Sequence, residues 1–154
     1  MTYLKIRPYV PEDFLNIELM EYERKCREGQ PVERWAIINY EAGPAWTVVA
    51  PDGEIVFCCG LRDMWTGVAE IWAVFSPAAK KYPGTLMAAK SLMKSAWRMG
   101  YDRIQAALDP VGCPEAIRFD EKLGFSQEGI LRRYGPHGED RIMYAALRGD
   151  CDGK

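Results

Sequence analysis

The sequence has 154 residues, of which 48% are hydrophobic and 27% are charged, and its formal net charge at pH 7 is −2. These values are typical of one soluble folded domain, and we expect that domain over residues 1–148, followed by a short C-terminal tail over residues 149–154. Because no block of basic residues is present, the electrostatic footprint of a nucleic-acid-binding protein is excluded.

The first third of the chain predicts a strand, two helices and a hairpin. The hairpin signal is the Pro51-Asp52-Gly53 turn between two apolar runs. The early helix opens with a proline and two acids, which suit the positive end of a helix. In chain order, the predicted elements are a strand at Tyr3–Arg7, a helix from Pro11 through Tyr22, a helix at Val32–Tyr40, and strands at Trp46–Ala50 and Ile55–Leu61.

The middle of the chain predicts a turn, a strand, a loop with two prolines, a long helix and another strand. The helix has one apolar stripe, Thr85 as its expected N-cap and Gly100 as its stop. In chain order, the elements are the turn Arg62–Gly67, the strand Val68–Phe75, the loop Ser76–Gly84, the helix Thr85–Met99 and the strand Arg103–Leu108.

The C-terminal part carries the most informative pattern. Pro114 suits the first position of an amphipathic helix, Gly124 suits its left-handed end, and Phe125 can fold back onto the last turn. Two further runs, joined by Gly-Pro-His-Gly, then predict a terminal hairpin. The string AIRFDEKLGF followed by such a hairpin resembles the C-terminal motif of the GNAT superfamily, the acyl-CoA-dependent N-acyltransferases, and the overall look is nearest its short phage-encoded branch.

This resemblance spans nearly the whole chain, and it implies both a particular fold and a particular activity. It implies an α/β (α+β) GNAT fold, with a mixed, mostly antiparallel sheet of about seven strands and four helices. It also implies transfer of an acyl group from acetyl-CoA or another acyl-CoA to an amine of a small molecule or a protein, and it leaves a homodimer open. The alternative is a GNAT-fold protein that binds CoA with little or no catalysis and acts on a partner protein.

Cysteine and histidine usage argues against a disulfide framework and a metal centre. The chain has five cysteines without a C-x-x-C pair, and one histidine. Its N-terminus lacks a signal-peptide core, and no apolar run approaches the ~18 residues of a membrane span. We therefore expect a cytoplasmic protein without a metal or a membrane partner.

The segment Lys81-Tyr82-Pro83-Gly84-Thr85-Leu86 resembles the family's pyrophosphate loop, Q/R-x-x-G-x-G/A. A loop between a strand and a helix N-terminus binds anions through free N–H groups and the helix dipole. Leu86 replaces a small residue, and Pro83 removes one donor; the alternative is an ordinary turn. The resemblance implies these cofactor contacts: Val74, Phe75, Lys80, Lys81, Tyr82, Gly84, Thr85, Leu86, Cys113 and Phe119.

An amine must lose its proton before acylation, and the resemblance implies a glutamate on the strand before the loop. Glu70 is the candidate base, and the alternative is an edge-strand carboxylate paired with an arginine. Asp109 is a weaker acid–base candidate. Backbone amides at Val74 or Phe75 are expected to hold the oxyanion.

The chain departs from the family where an asparagine and a tyrosine are usual, since it has Cys113 and Asp120 there. The family tyrosine protonates the leaving thiolate. An exposed aspartate, with a pKa near ~3.9, is ionised at neutral pH and cannot replace it unless burial raises its pKa. Tyr134 and Tyr144, which flank the final hairpin, are candidate replacements, although tyrosines in strands more often pack.

The resemblance places the acceptor groove at the segment between the first helices and at the final hairpin. The expected substrate residues are therefore Trp35, Tyr40, Trp72 and His137, the last of which is otherwise an ordinary surface residue. Trp65 lies in a predicted turn and is a candidate contact for a protein partner.

Overall fold

The structure is a computed structural model that describes residues 3–150. Within these residues, seven strands form one mixed sheet. The strands are β1 (Lys5–Pro8), β2 (Ala45–Val49), β3 (Ile55–Trp65), β4 (Val68–Phe75), β5 (Arg103–Leu108), β6 (Ser126–Leu131) and β7 (Arg141–Leu147). Their order is β1-β2-β3-β4-β5-β7-β6. The β4–β5 pair is parallel, and the β1–β2, β2–β3, β5–β7 and β6–β7 pairs are antiparallel. The predicted sheet is confirmed.

The described residues form five α-helices rather than the predicted four. They are α1 (Pro11–Asn16), α2 (Glu21–Arg27), α3 (Val32–Glu41), α4 (Gly84–Arg98) and α5 (Pro114–Lys122), with a 3₁₀ turn at Pro77–Lys80. The helix predicted from Pro11 is wrong in length, because the backbone becomes extended at Ile17 and Met20. Phe14 and Ile17 are both buried.

Two local predictions about the middle of the chain are also wrong. The predicted turn Arg62–Gly67 is shorter, because β3 continues to Trp65. Thr85 is not the N-cap of α4, since that helix already begins at Gly84. The Thr85 hydroxyl lies 2.9 Å from the Tyr82 carbonyl and 3.0 Å from the Ala79 carbonyl, and it ties the preceding loop to the first turn.

The chain divides into two compact units. One comprises the described part of Met1–Arg62 together with Ile71–Ser91, and the other comprises Asp63–Glu70 with the described part of Leu92–Lys154. In the first unit, a core cluster joins α1, α3 and the strands: Tyr9, Phe14, Ile17, Ala36, Cys58, Trp72 and Val74. In the second unit, the buried apolar residues include Ile104, Leu123, Phe125 and Tyr144. The expected tail at 149–154 lies mostly outside the described residues.

The end of α5 confirms the turn predicted from the sequence. Gly124 has a φ of 100°, the left-handed conformation that favours glycine. The Phe125 amide donates to the Asp120 carbonyl and the Gly124 amide donates to the Glu121 carbonyl, which is the Schellman pattern. Phe125 is buried, so the helix end is fixed by both hydrogen bonds and packing.

The described residues contain no helix that is long and apolar enough to cross a bilayer. Within the same residues, no group of three or more histidine, cysteine, aspartate or glutamate side chains is arranged to hold a metal ion.

Candidate active site

The hydroxyl of Tyr134 contacts the carboxylate of Glu70. Tyr134 Oη donates to Glu70 Oε1 at 3.0 Å and lies 3.3 Å from Oε2. Both residues belong to the second unit, in which Glu70 is paired with Gln105 of β5. Glu70 therefore lies on a strand that has neighbours on both sides, and the edge-strand alternative is wrong. The contact places a proton acceptor and a proton donor next to each other.

The loop that carries Tyr134 is closed by hydrogen bonds between its own residues, one to a carboxylate and one to a backbone carbonyl. Asp140 Oδ1 accepts a hydrogen bond from the Arg133 amide at 3.0 Å, and Arg133 has a φ of 57°. The Gly135 amide donates to the Glu139 carbonyl at 2.9 Å. The sequence gives no sign of these contacts, because a left-handed conformation at a non-glycine residue is visible only in the backbone.

Two other acid–base candidates have structural contacts instead. The carboxylate of Asp109 is buried and accepts hydrogen bonds from the amides of Val111 (3.1 Å) and Gly112 (2.9 Å). It therefore shapes the loop between β5 and α5. Tyr144 is buried on β7, and this burial raises the pKa of its phenol.

The start of α4 provides backbone donors in the first unit. The first N–H groups of a helix have no partner within it. The Thr85 amide already donates to the Tyr82 carbonyl at 3.1 Å, and the Lys81 amide donates to Ala78 at 2.9 Å. Of the expected amide contacts, those of Gly84 and Leu86, at the first and third helical positions, have no acceptor within the helix and can bind an anion.

Among the described residues, no contact requires position 84 to be a glycine. Its φ is not in the left-handed region, and a Cβ built on it would lie 3.6 Å from Leu4 Cδ1, an ordinary contact. Glycine is a weaker helix former than alanine, so its presence in the first turn calls for a cause. Close approach of a ligand to the backbone is such a cause. The side chains of Lys80 and Lys81 are exposed just before it and can add positive charge.

The two expected oxyanion donors at the end of β4, the amides of Val74 and Phe75, point in opposite directions. The Ser76 amide donates to the Val56 carbonyl of β3 at 3.0 Å. Because successive N–H groups of a strand point to opposite sides, the Phe75 amide points away from β3 and the Val74 amide points towards it. Phe75 also stacks on Phe57, with ring centroids 5.0 Å apart, so its position is fixed.

Cys113 and Phe119 lie at the start and in the body of α5. Cys113 is the N-cap residue and is half-buried, and burial raises the pKa of its thiol. The thiol therefore stays protonated at neutral pH, as in a small packed side chain. Phe119 is also half-buried.

The expectation that Asp120 is solvated and ionised is wrong. Its side chain is partly buried, and this desolvation raises the pKa of its carboxyl to about 7. The carboxyl has no hydrogen bond or ion pair among the described residues. At neutral pH a large share of Asp120 is therefore protonated, so the residue is able to donate a proton.

We expect Asp120→Asn to stabilise the protein at pH 8 and to leave its stability unchanged below about pH 4. Between the unfolded pKa near ~3.9 and the folded pKa of about 7, the folded chain binds more protons, so stability falls as the pH rises. Asparagine stays neutral and escapes this loss, which is on the order of 2 kcal/mol for a partly solvated group. Urea unfolding of both proteins at pH 4 and pH 8 measures it, with Glu121→Gln on the same helix as control. An equal difference at the two pH values would contradict the raised pKa.

The four expected substrate residues lie in different environments. Trp72 is buried in the first unit and packs edge-on against Tyr9 (centroids 5.1 Å apart) and Phe14 (6.0 Å), so it is a core residue. Trp35 is half-buried against the same core, and Tyr40 is exposed on α3. In the second unit, His137 is exposed in the loop between β6 and β7.

No protein-family profile and no curated protein sequence matches this chain. Solved structures do match it. A GNAT-family acetyltransferase from Bacillus anthracis has 23% identity and a TM-score of 0.70, covering 94% of each chain. A spermidine N-acetyltransferase from Vibrio cholerae, in complex with CoA and spermine, has 15% identity and a TM-score of 0.74, covering 96% of this chain and 97% of that one. This chain has the GNAT fold.

The GNAT fold confirms the resemblance found in the C-terminal motif and in the element order. At these identities the likeness establishes architecture, and the chemistry depends on the residues of this chain. Of the residues proposed from the sequence, Glu70 and Tyr134 are in direct contact.

Proposed function

We propose that this protein is an N-acyltransferase that moves an acyl group, acetyl in the simplest case, from acyl-CoA to an amine. The observation that carries the proposal is the hydrogen bond between Tyr134 and Glu70, because it joins a base to an acid. The GNAT fold supports the same chemistry by analogy.

Glu70 acts as the base in this proposal. A lysine-like amine has a pKa near ~10.4 and is protonated at neutral pH, so it cannot attack a carbonyl until a proton is removed. The carboxylate of Glu70 takes that proton, directly or through water. Its hydrogen bond from Tyr134 fixes its orientation.

Tyr134 acts as the acid. Its hydroxyl gives a proton to the departing thiolate of CoA, which forms the thiol and leaves a phenolate. The protonated Glu70 then returns its proton to that phenolate across the 3.0 Å contact. The ammonium loses two protons in becoming an amide: the first passes through Glu70 and Tyr134 to the thiol, and the second leaves the nitrogen of the tetrahedral adduct to water. Both side chains are thereby restored for the next cycle.

The first turn of α4 binds the pyrophosphate of acyl-CoA in this proposal, and acyl-CoA supplies the thioester. Support comes from the amides of Gly84 and Leu86, from the space beside Gly84 and from the two exposed lysines. The Phe75 amide is our choice of oxyanion donor, since it points away from β3.

A small-molecule amine is the proposed acceptor. The Vibrio cholerae enzyme of the same fold is a spermidine N-acetyltransferase solved with spermine, which supports this class without naming the substrate. We also propose a cytoplasmic location, where acyl-CoA is available.

A CoA-binding protein that acts on a partner is the second candidate. Met64 and Trp65, at the end of β3, are exposed by 46% and 68%. A large exposed aromatic side chain suits a protein contact. Under this alternative the wild type binds CoA but acylates no amine.

The deciding experiment incubates the purified protein with acetyl-CoA and a panel of amines, including polyamines, amino acids and lysine peptides. Mass spectrometry then detects acetylated amine, and a thiol reagent measures released CoA. Acetylated product in excess of the enzyme-free reaction supports the proposal. CoA binding by calorimetry without any product favours the second candidate.

We expect Tyr134→Phe to lower kcat about tenfold and to leave the KM for acetyl-CoA unchanged. Phenylalanine keeps the ring and removes the proton donor. The loss is moderate because a thiol has a pKa near ~8.5, so its thiolate leaves without much help from an acid. Steady-state kinetics measures it. Full activity in Tyr134→Phe, together with loss of activity in Asp120→Asn, would transfer the acid role to Asp120.

A further inference from the structure

We propose that Asp140 is a positioning residue, which keeps the Tyr134 hydroxyl on Glu70 by holding Arg133 in a left-handed conformation. The inference rests on the proposed function, in which Tyr134 and Glu70 exchange a proton. All four residues belong to the second unit.

Arg133 is the one non-glycine residue with a positive φ in the described range, residues 3–150. This conformation crowds the Cβ of an L-residue and is uncommon outside glycine, asparagine and aspartate. Such conformations persist only where surrounding contacts enforce them, and they cluster at functional sites. The residue that follows Arg133 is Tyr134, so the backbone angle at Arg133 sets the direction in which Tyr134 leaves the loop.

The contact that enforces this conformation comes from Asp140. Its Oδ1 accepts the Arg133 N–H at 3.0 Å, across the neck of the loop between β6 and β7. A charged acceptor makes a stronger hydrogen bond than a neutral one. The carboxylate therefore fixes the peptide group between Arg132 and Arg133, one residue before Tyr134.

A second closure lies on the other side of Tyr134. The Gly135 amide donates to the Glu139 carbonyl at 2.9 Å, and Glu139 Oε1 accepts the His137 amide at 2.9 Å. A Cβ on Gly135 would lie 1.9 Å from the Glu139 carboxyl carbon, so the Glu139 side chain folds directly over this glycine. Tyr134 is thus held between two anchored neighbours.

This anchoring matters because Tyr134 is 50% exposed. An exposed tyrosine on a mobile loop would sample several rotamers, of which one reaches Glu70. Holding a reacting group in its productive geometry is a recognised source of rate. The loop supplies this geometry from its backbone.

The structural test compares crystal structures of Asp140→Ala, Asp140→Asn and the double variant Asp140→Ala with Arg133→Gly. In Asp140→Ala we expect the distance from Tyr134 Oη to Glu70 to exceed hydrogen-bond range. Asparagine keeps an oxygen acceptor and should preserve the contact, and glycine at 133 should restore it, because glycine adopts the left-handed conformation without crowding. An unchanged contact in Asp140→Ala would overturn the proposal, whether or not the protein is an enzyme.

The kinetic test separates positioning from general stability. We expect Asp140→Ala to lower kcat about fivefold with an unchanged KM for acetyl-CoA, and Asp140→Asn to retain most of the activity. In the Tyr134→Phe background the same change should have no further effect, since the group that Asp140 positions is already gone. An equal loss in both backgrounds would show that Asp140 does not act through Tyr134. If the contact moves as expected but the wild type acylates nothing, the positioning stands and the proposed function fails.

Discussion

Glu70→Gln is expected to transfer acyl groups about 10²–10⁴ times more slowly than the wild type, while its affinity for CoA barely changes. Glutamine keeps the shape of the side chain and can still accept the hydrogen bond from Tyr134. It cannot take a proton from the acceptor amine, and general base catalysis is worth about this factor. The loss corresponds to roughly 3–5 kcal/mol in the activation free energy.

The dependence of this loss on pH identifies the cause. As the pH approaches the amine pKa near ~10.4, more of the acceptor is already neutral, so the difference between Glu70→Gln and the wild type should shrink. Glu128→Gln is a matched control, because it removes a carboxylate that pairs with Arg103 on the surface of the same unit. A surface ion pair is worth little, so its rate should stay near that of the wild type.

Two outcomes would count against the assignment. Full activity in Glu70→Gln would remove Glu70 from the mechanism, and a loss that stays constant up to pH 10 would indicate a structural defect. Calorimetric titration with CoA checks that the variant is folded and still binds.

The elements that were predicted from the sequence have strong local signals. The strand at Val68–Phe75 and the strand at Arg103–Leu108 have the predicted bounds. The end of α5 at Gly124 also agrees, because glycine, the preceding apolar face and Phe125 act within one turn. Such signals depend on neighbours in the chain, and one sequence is enough to read them.

The contacts between residues far apart in the chain could not be predicted from the sequence. Glu70 and Tyr134 were proposed separately, and their contact joins positions 64 residues apart. It depends on the pairing of β4 with β5, of β5 with β7 and of β7 with β6, and on the loop conformation at Arg133. Register is set by the packing of whole strands, which local patterns do not contain.

The environment of Asp120 could not be predicted from local sequence patterns either, although it lies within a single helix. The apolar spacing of α5 allowed either Phe119 or Asp120 on the inner face, and both are in fact partly buried. The shift of the Asp120 pKa follows from that burial. A charge in a helix is usually solvated, so the sequence alone favoured the wrong environment.

We expect Gly84→Glu to weaken CoA binding well over tenfold, which is more than ~1.4 kcal/mol, without destabilising the fold. The new side chain places bulk and negative charge at the first turn of α4, where the pyrophosphate is proposed to bind. The protein itself tolerates the substitution, since a Cβ at this position makes an ordinary contact with Leu4. An acidic residue in the first turn also interacts favourably with the helix dipole, so thermal stability should stay the same or rise.

Gly84→Ala is the matched control for this prediction. Alanine adds the Cβ without charge and is a better helix former than glycine, so the variant should be at least as stable as the wild type. Its loss of CoA affinity should be smaller than that of the glutamate variant, because only close approach to the backbone is impaired. Calorimetric titration with CoA and thermal unfolding of the three proteins give both quantities. Unchanged affinity in a folded Gly84→Glu protein would place the CoA phosphates elsewhere, because a carboxylate beside this amide would repel a bound phosphate and weaken its binding.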